Sequence, residues 1–133
     1  MSHHVSKVKL LAVEVADSVG AGAKFFETIA AAGVNLVSFC AYTMGDTAGF
    51  LVDAGENAAA ATKALKKAGY KVAAQSALAI AVANKPGALA AEARKLADKG
   101  MNVQMAYATP GGKTATVYLS ADDDKKAFKV LEK

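Results

Sequence analysis

The fold is decided by a stretch that occurs twice in the chain. Its second copy is Asn84-Lys85-Pro86-Gly87-Ala88-Leu89-Ala90, and its first copy is Asp17-Ser18-Val19-Gly20-Ala21-Gly22-Ala23. Each copy follows an alternating apolar run and precedes an alanine-rich amphipathic stretch that ends in Gly-X-Asn, at residues 33–35 and 100–102. The two copies keep a constant offset of 67 positions. We therefore interpret the chain as two copies of one module of roughly 65 residues.

The apolar periodicity of the first copy predicts the element order βαββαβ. Alternation predicts strands, and apolar residues at helical spacing predict helices. The predicted strands are 8–15, 34–42, 48–53 and 70–74, and the predicted helices are 20–32 and 56–68. Gly33 and Gly69 are expected to end the helices, because glycine adopts the left-handed C-terminal conformation without strain. Gly45-Asp46 predicts the turn between the second and third strands.

The second copy repeats this order up to its last helix. The predicted strands are 78–82, 101–108 and 113–119, and the predicted helices are 87–99 and 122–131. Pro110-Gly111-Gly112 predicts a hairpin turn, and Asp122 or Asp123 is expected to cap the last helix. No counterpart of the fourth strand follows, so the second module is predicted to lack its last strand. That strand lies at a sheet edge in this topology, so its absence predicts an unpaired edge on the first strand of the copy.

These patterns predict an α+β fold of two ferredoxin-like βαββαβ modules in tandem. Each module is expected to be an antiparallel sheet with its helices on one face. Module 1 is predicted to span residues 1–75 and module 2 residues 76–133. A chain of 133 residues and 13.5 kDa is long enough for one ordinary domain or two very small ones. Hydrophobic residues make up 53% of it, so it can bury a core.

Composition and charge argue against several classes of function. The net charge is +4, but the lysines are scattered, Arg94 is the only arginine and tryptophan is absent, so no nucleic-acid partner is predicted. No apolar run approaches the roughly 18 residues of a membrane span. The polar N-terminus has no apolar core of a secretion signal. A single cysteine, Cys40, allows no internal disulfide, so we predict a cytoplasmic location.

The Asn84–Leu89 loop has the chemistry of a binding site. Glycine at position 87 lets a ligand approach the backbone, and free amides at the start of the following helix favour a carboxylate. Pro86 fixes the loop without losing a needed amide. Asn84 and Asn102 offer donors and acceptors that can hold an α-ammonium and an α-carboxylate. The alternative is structural: Gly87 ends a tight turn and Asn102 only caps a loop.

The second copy resembles an ACT domain over residues 77–133. The resemblance rests on residues 82–89, on Leu96 and on Gly100-Met101-Asn102-Val103. These match the family pattern of a polar residue, a basic residue, Pro-Gly, an apolar residue, a helix and Gly-apolar-Asn-apolar. Among ACT domains, this copy is most similar to the serine-binding type of phosphoglycerate dehydrogenase. The first copy is a weaker match over residues 7–74, because it lacks the basic residue and the proline.

What the resemblance implies is a free amino acid bound at a module–module interface. In that family the ligand lies between the glycine loop of one module and the second strand of its partner. The residues implied in the second copy are Asn84, Lys85, Pro86, Gly87, Ala88 and Leu89, with Asn102, Val103 or Asn35 reaching across the interface. Asp17, Val19 and Gly20 would form a second, imperfect pocket, in which the Asp17 carboxylate would repel a ligand carboxylate.

Nothing in the sequence favours catalysis, a cofactor or a metal. His3 and His4 are the only histidines and are expected in a mobile terminus without function, and Cys40 is expected to be an inert thiol. The loops lack the arginine of acylphosphatases, and the strands lack the aromatic pattern of RNA-recognition modules. We predict a non-catalytic sensor that regulates a partner enzyme or pathway of amino-acid metabolism. The alternative is a ligand-free assembly module with vestigial pockets.

The helix-free sheet faces are expected to be apolar. If Leu11, Val13 and Val15 face the helices, alternation places a second set of side chains on the opposite faces. That set is Val37, Phe39 and Leu51 in the first copy and Ala79, Ala81, Ala106 and Tyr118 in the second, with the polar Glu14, Asp53 and Gln104 among them. A water-exposed face should alternate to polar residues throughout. We therefore predict a homodimer or larger assembly that covers these faces or edges.

Overall fold

The computed structural model describes residues 4–133, which form four helices and six strands. The elements are β1 Val5–Ala16, α1 Ala21–Ala31, β2 Ser38–Met44, β3 Thr47–Asp53, α2 Ala58–Lys67, β4 Ala73–Ala83, α3 Ala88–Asp98, β5 Val103–Gly111, β6 Thr114–Ala121 and α4 Asp124–Leu131. A short 3₁₀ turn, Gly55–Asn57, precedes α2. The α+β class is as predicted, and so is the order of the elements except at β4. No helix within the described residues is long and apolar enough to cross a membrane.

The chain divides into two compact units. The first unit is residues 9–75, and the second unit is residues 76–133 together with residues 4–8. Their strand orders are β2-β3-β1 and β4-β6-β5, with antiparallel registers. Both β1 and β4 cross a boundary between units. The sequence predicts two strands, 70–74 and 78–82, where one strand is found, because no glycine, proline or asparagine interrupts Ala73–Ala83.

Each unit buries one apolar core between its sheet and its two helices. In the first unit, Phe25 of α1 stacks on Phe50 of β3 with ring centroids 4.2 Å apart, and Leu65 of α2 is fully buried beside them. In the second unit, Leu96 of α3 and Leu131 of α4 close the equivalent core. Phe25 and Ile29, four residues apart, lie on the same face of α1, and both are buried in the core of the first unit.

The N-terminal residues supply the strand that the second copy lacks. His4 O accepts a hydrogen bond from Ala81 N at 2.7 Å, and Val5 is buried in the core of the second unit. The Lys7 ammonium lies 4.9 Å from the centre of the Phe128 ring on α4. The predicted open edge on the first strand of the second copy is therefore wrong. Its place is taken by a segment far away in sequence, which a comparison of the copies cannot reveal.

Two of the predicted helix-free positions are wrong because of strand register. Phe39 pairs with Val52, a core residue, and its ring lies 4.9 Å from that of Phe26 on α1. Ala106 likewise pairs with Leu119, which belongs to the core of the second unit. Directly opposed residues share a sheet face, so both lie on the helix side. β2 begins at Ser38 instead of residue 34, since the chain stays in a loop after α1.

Leu51 and Tyr118 lie on the helix-free faces as predicted, but both side chains are already buried within the single chain. Leu51 and Tyr118 are 5% and 3% exposed in the single chain, and Tyr118 stacks on Tyr107 with centroids 4.9 Å apart. These two side chains therefore need no second chain to cover them, contrary to the expectation from sequence. Val37, by contrast, is 61% exposed, but it lies in the loop before β2 and not in a strand.

His4 is held by an ion cluster, although the sequence predicts a mobile terminus for it. Its Nε2 lies 2.7 Å from Glu92 Oε1, and Lys95 Nζ lies 2.9 Å from Glu92 Oε2. Burial acts to raise the pKa of Glu92, but the hydrogen bonds from Lys95 and His4 and their attraction outweigh it. The pKa of Glu92 therefore lies below the ordinary 4.5. His3 lies outside the described residues.

We expect Glu92→Gln to remove an acid-dependent part of the stability. A lowered native pKa stabilises the fold above the unfolded value, and this contribution is lost as the pH falls through the native pKa. The wild-type chain should therefore lose stability below pH 4.5 more steeply than the variant. Denaturant midpoints between pH 7 and pH 2.5 measure this, with exposed Glu56→Gln as the control. Parallel curves for wild type and Glu92→Gln would contradict it.

Candidate functional site

Each predicted binding loop ends at a glycine in the left-handed conformation that begins a helix. Gly87 has φ +86° and precedes α3, and Gly20 has φ +87° and precedes α1. Apart from the chain neighbours of each glycine, no atom of the described residues lies within 4 Å of a Cβ built on Gly20 or Gly87. A ligand can therefore approach both loops without meeting a side chain from these positions.

Neither of these helices is capped by a side chain of the described residues. α1 and α3 have no capping hydrogen bond and no acidic residue in the first turn. α4 shows the contrast, because Asp123 Oδ1 accepts from Lys126 N at 3.1 Å and confirms one of the two predicted caps. The first amide of α1 and of α3 is already bonded, since Ala21 N donates to Ser18 O at 3.1 Å and Ala88 N to Lys85 O at 3.3 Å. Among the described residues, the second and third amides of α1 and α3 are left for water or for an anionic group.

Asn84 ties the second loop to the neighbouring hairpin. Its Nδ2 donates to Gly112 O at 2.8 Å, and its backbone N donates to Lys113 O at 2.9 Å. In the first copy, Asp17 N makes the equivalent backbone bond to Asp46 O at 2.8 Å. The repeat offset of 67 holds for both partners. The turns at Asp46 and at Gly112-Lys113 therefore help to fix the two binding loops. The loop motif does not predict this contact, but the constant offset of 67 between the partners in the two copies could have indicated it.

The two predicted asparagines do not meet within one unit. Asn84 precedes α3, whereas Asn102 follows it and bonds to the segment before α4. Its O accepts from Asp122 N at 3.1 Å, and its N donates to Asp122 Oδ1 at 3.4 Å. α3 has 11 residues, and a helix of that length spans about 16 Å. Asn35 likewise follows α1, while Gly20 precedes it. One ligand cannot touch both members of a pair in the same unit.

The remaining predicted residues lie on the surface around the loops. Lys85, Pro86 and Leu89 are exposed and Ala88 is half-buried, while Val103 begins β5. In the first copy Val19, the counterpart of Pro86, is fully exposed, and Asp17 is exposed beside it. The structure therefore presents Lys85 to Leu89 as a contiguous accessible loop, with the strand residues at the far end of the helix.

The cysteine and the acidic residues outside the loops lie in positions that indicate a structural role. Cys40 is half-buried in β2, and Asp124 accepts from Ala121 N at 2.8 Å at the start of α4. Within residues 4–133, no group of three histidine, cysteine or acidic side chains is arranged to hold a metal ion.

Comparison with known proteins identifies the same paired architecture. The family model described as an ACT domain pair matches residues 5–133. A solved protein of Bacteroides thetaiotaomicron superposes with a TM-score of 0.88 at 23% identity, over 96% of this chain and 88% of that one. The regulatory subunit of aspartate kinase from Thermus thermophilus, in a ligand-free form, gives 0.66 at 16% identity, over 96% and 94%. These likenesses show the fold. No curated protein sequence matches the chain.

Proposed function

The chain belongs to the family of ACT domain pairs, and from this premise we propose that it is a non-catalytic sensor of a free amino acid. Binding would occur at interfaces between modules and would regulate a partner enzyme or pathway of amino-acid metabolism. The regulatory role of the aspartate kinase subunit with the same fold supports this proposal.

The observation that carries the proposal is the pair of open helix starts. Gly87 and Gly20 leave space in front of uncapped amides, which favour the α-carboxylate of an amino acid. Because Asn102 and Asn35 lie at the other ends of the helices, a complete pocket needs a loop from one module and a strand start from another. This matches the interface binding that the family resemblance implies.

A small or apolar amino acid is the proposed ligand. Ala88, Leu89 and Val103 offer apolar walls, and Lys85 is the only charged side chain of the loop. The resemblance of the second copy to serine-binding ACT domains is a prediction from sequence. It supports a small ligand.

Calorimetry of the full chain against the twenty amino acids tests the proposal. We expect binding of small or apolar amino acids, because the walls are apolar and Lys85 is the only charged side chain that the loop offers to a ligand side chain. A preference for aspartate, glutamate or arginine would contradict the assigned ligand class. Absence of binding by all twenty would instead support the ligand-free assembly module.

We also propose that the protein is a homodimer or larger, with β2 as an exposed edge. In the first unit β2 has β3 as its one neighbour, and no residue of Ser38–Met44 is charged. Tyr42 and Met44 are 40% and 72% exposed. Edge strands usually carry charges that prevent pairing, so this edge is suited to association. Light scattering at micromolar concentration should give at least twice 13.5 kDa, and a mass near 13.5 kDa would contradict the dimer.

A further inference from the structure

A cavity in the first unit has the chemistry of a second binding site. It has a volume of about 540 Å³ and lies between β1, the end of β2 and residues 71–75. Its polar lining consists of Glu14, Tyr42, Lys71 and Gln75. None of these residues belongs to a glycine loop. A volume of this size is typical of small-molecule sites.

Gly49 leaves the space in which the Tyr42 ring lies, and that ring forms one wall of the cavity. Glu14 pairs with Gly49, and Gly49 pairs with Tyr42, so the three form a row across β1, β3 and β2 on one face. A Cβ built on Gly49 would overlap the Tyr42 ring, with Cζ only 2.4 Å away. The tyrosine ring therefore lies across Gly49 and becomes a wall of the cavity. The rest of the lining is apolar and consists of Ala12, Val13, Phe50, Val72 and Ala73.

The lining carries one charge of each sign without an internal partner. In the part of the chain that the structure describes, neither Glu14 nor Lys71 forms an ion pair within 4 Å. The two charges share one cavity with the Gln75 amide. Both residues are exposed, and an unpaired carboxylate and ammonium that line one cavity complement a ligand that carries both opposite charges.

The repeat provides an internal comparison, because the second copy has the same backbone without this chemistry. The counterparts of Glu14, Gly49 and Tyr42, 67 positions later, are Ala81, Thr116 and Thr109. They form the same row, since Ala81 pairs with Thr116 and Thr116 with Thr109. The fold therefore does not require the acid, the glycine or the tyrosine at these positions.

We propose that this cavity binds a small zwitterion of the α-amino acid class, with Glu14 on the ammonium, Lys71 on the carboxylate and Tyr42 against the side chain. The site is separate from the glycine loops. It shares their ligand class but none of their residues, so variants of the cavity and of the loops test the two sites separately.

Calorimetry of the full chain tests the site, with the twenty amino acids followed by the N-acetyl and amide forms of the tightest binder. Both blocked forms should lose binding at the site, because each lacks one of the two charges. Glu14→Gln and Lys71→Met should each weaken binding by about tenfold or more. Glu56→Gln and Lys67→Met, exposed charges outside the cavity, are matched controls and should leave binding unchanged.

The variants distinguish this site from the glycine loops. Loss of binding in Glu14→Gln and Lys71→Met but not in Gly87→Asp supports the cavity. Loss in Gly87→Asp alone overturns it and leaves the proposed function intact. Replacing the row by its second-copy counterparts, Glu14→Ala with Gly49→Thr and Tyr42→Thr, should abolish the site in a folded protein. Binding that survives this exchange, or no binding of any amino acid, overturns the inference.

Discussion

Gly87→Asp should abolish amino-acid binding at the second loop, with an affinity loss of about a hundredfold or more. The carboxylate would stand at the helix start, beside the amides that the ligand carboxylate needs, and would compete with it for their positive field. It would also repel that carboxylate directly. Outside residues 86–88, no described atom lies within 4 Å of the added Cβ, so the substitution costs only the strain of a side chain at φ +86°. Calorimetry of the folded variant measures the effect.

Gly87→Asn is the matched control for this experiment. Asparagine has nearly the same size and tolerates a positive φ comparably, but it carries no charge. It should weaken binding less than aspartate does, and the difference between the two isolates the charge. Asn84→Ala should cost more affinity than Asp17→Ala, because Asn84 also fixes its loop through Gly112. Normal binding by folded Gly87→Asp would show that the assigned loop is wrong.

Val5→Asp should destabilise the second unit by about 3 kcal/mol, because it places an unpaired carboxylate in an apolar core. Val5 is 5% exposed and packs in the core that Leu78 and Leu96 share. The clearest readout is hydrogen exchange at the Ala81 amide, whose acceptor is His4 O. Denaturant unfolding of the full chain supplies the free energy.

Ser6→Asp provides the control, since residue 6 is exposed on the same strand. It should leave both the unfolding free energy and the exchange at Ala81 close to the wild-type values. If Val5→Asp behaves like Ser6→Asp, residues 4–8 do not complete the second unit in solution. A fall in protection confined to the second unit would show that the N-terminal segment acts as its missing strand.

The local elements followed from the sequence because their causes are local. Gly20 and Gly87 begin helices, Gly33 and Gly100 follow them, and all four have positive φ. Asp123 caps α4 through its own first turn. These features depend on residues within one turn of chain, so the 67-residue repeat and the helical periodicity were enough to predict them.

The candidate site was predictable only in part. The loop residues Lys85 to Leu89 lie together because they are consecutive, and the motif therefore located them. The predicted pairing of Asn84 with Asn102 in one pocket depends on which ends of α3 they occupy, and within one unit they lie at opposite ends. The row of Glu14, Gly49 and Tyr42 was not predicted from the sequence. These residues belong to three different strands and are brought together by the strand register, which no local motif indicates.

The sequence by itself determined the repeat, the order βαββαβ and the positions of the helix starts. Each of these depends on short-range steric and hydrogen-bonding preferences. The tertiary structure alone decided that residues 4–8 pair beside β4, that Phe39 lies on the helix side and that Tyr42 lies across Gly49. Strand pairing joins residues distant in the chain, and a shift of one residue exchanges the two faces of a strand. Neither the partner nor the register of a strand is encoded in its own alternation.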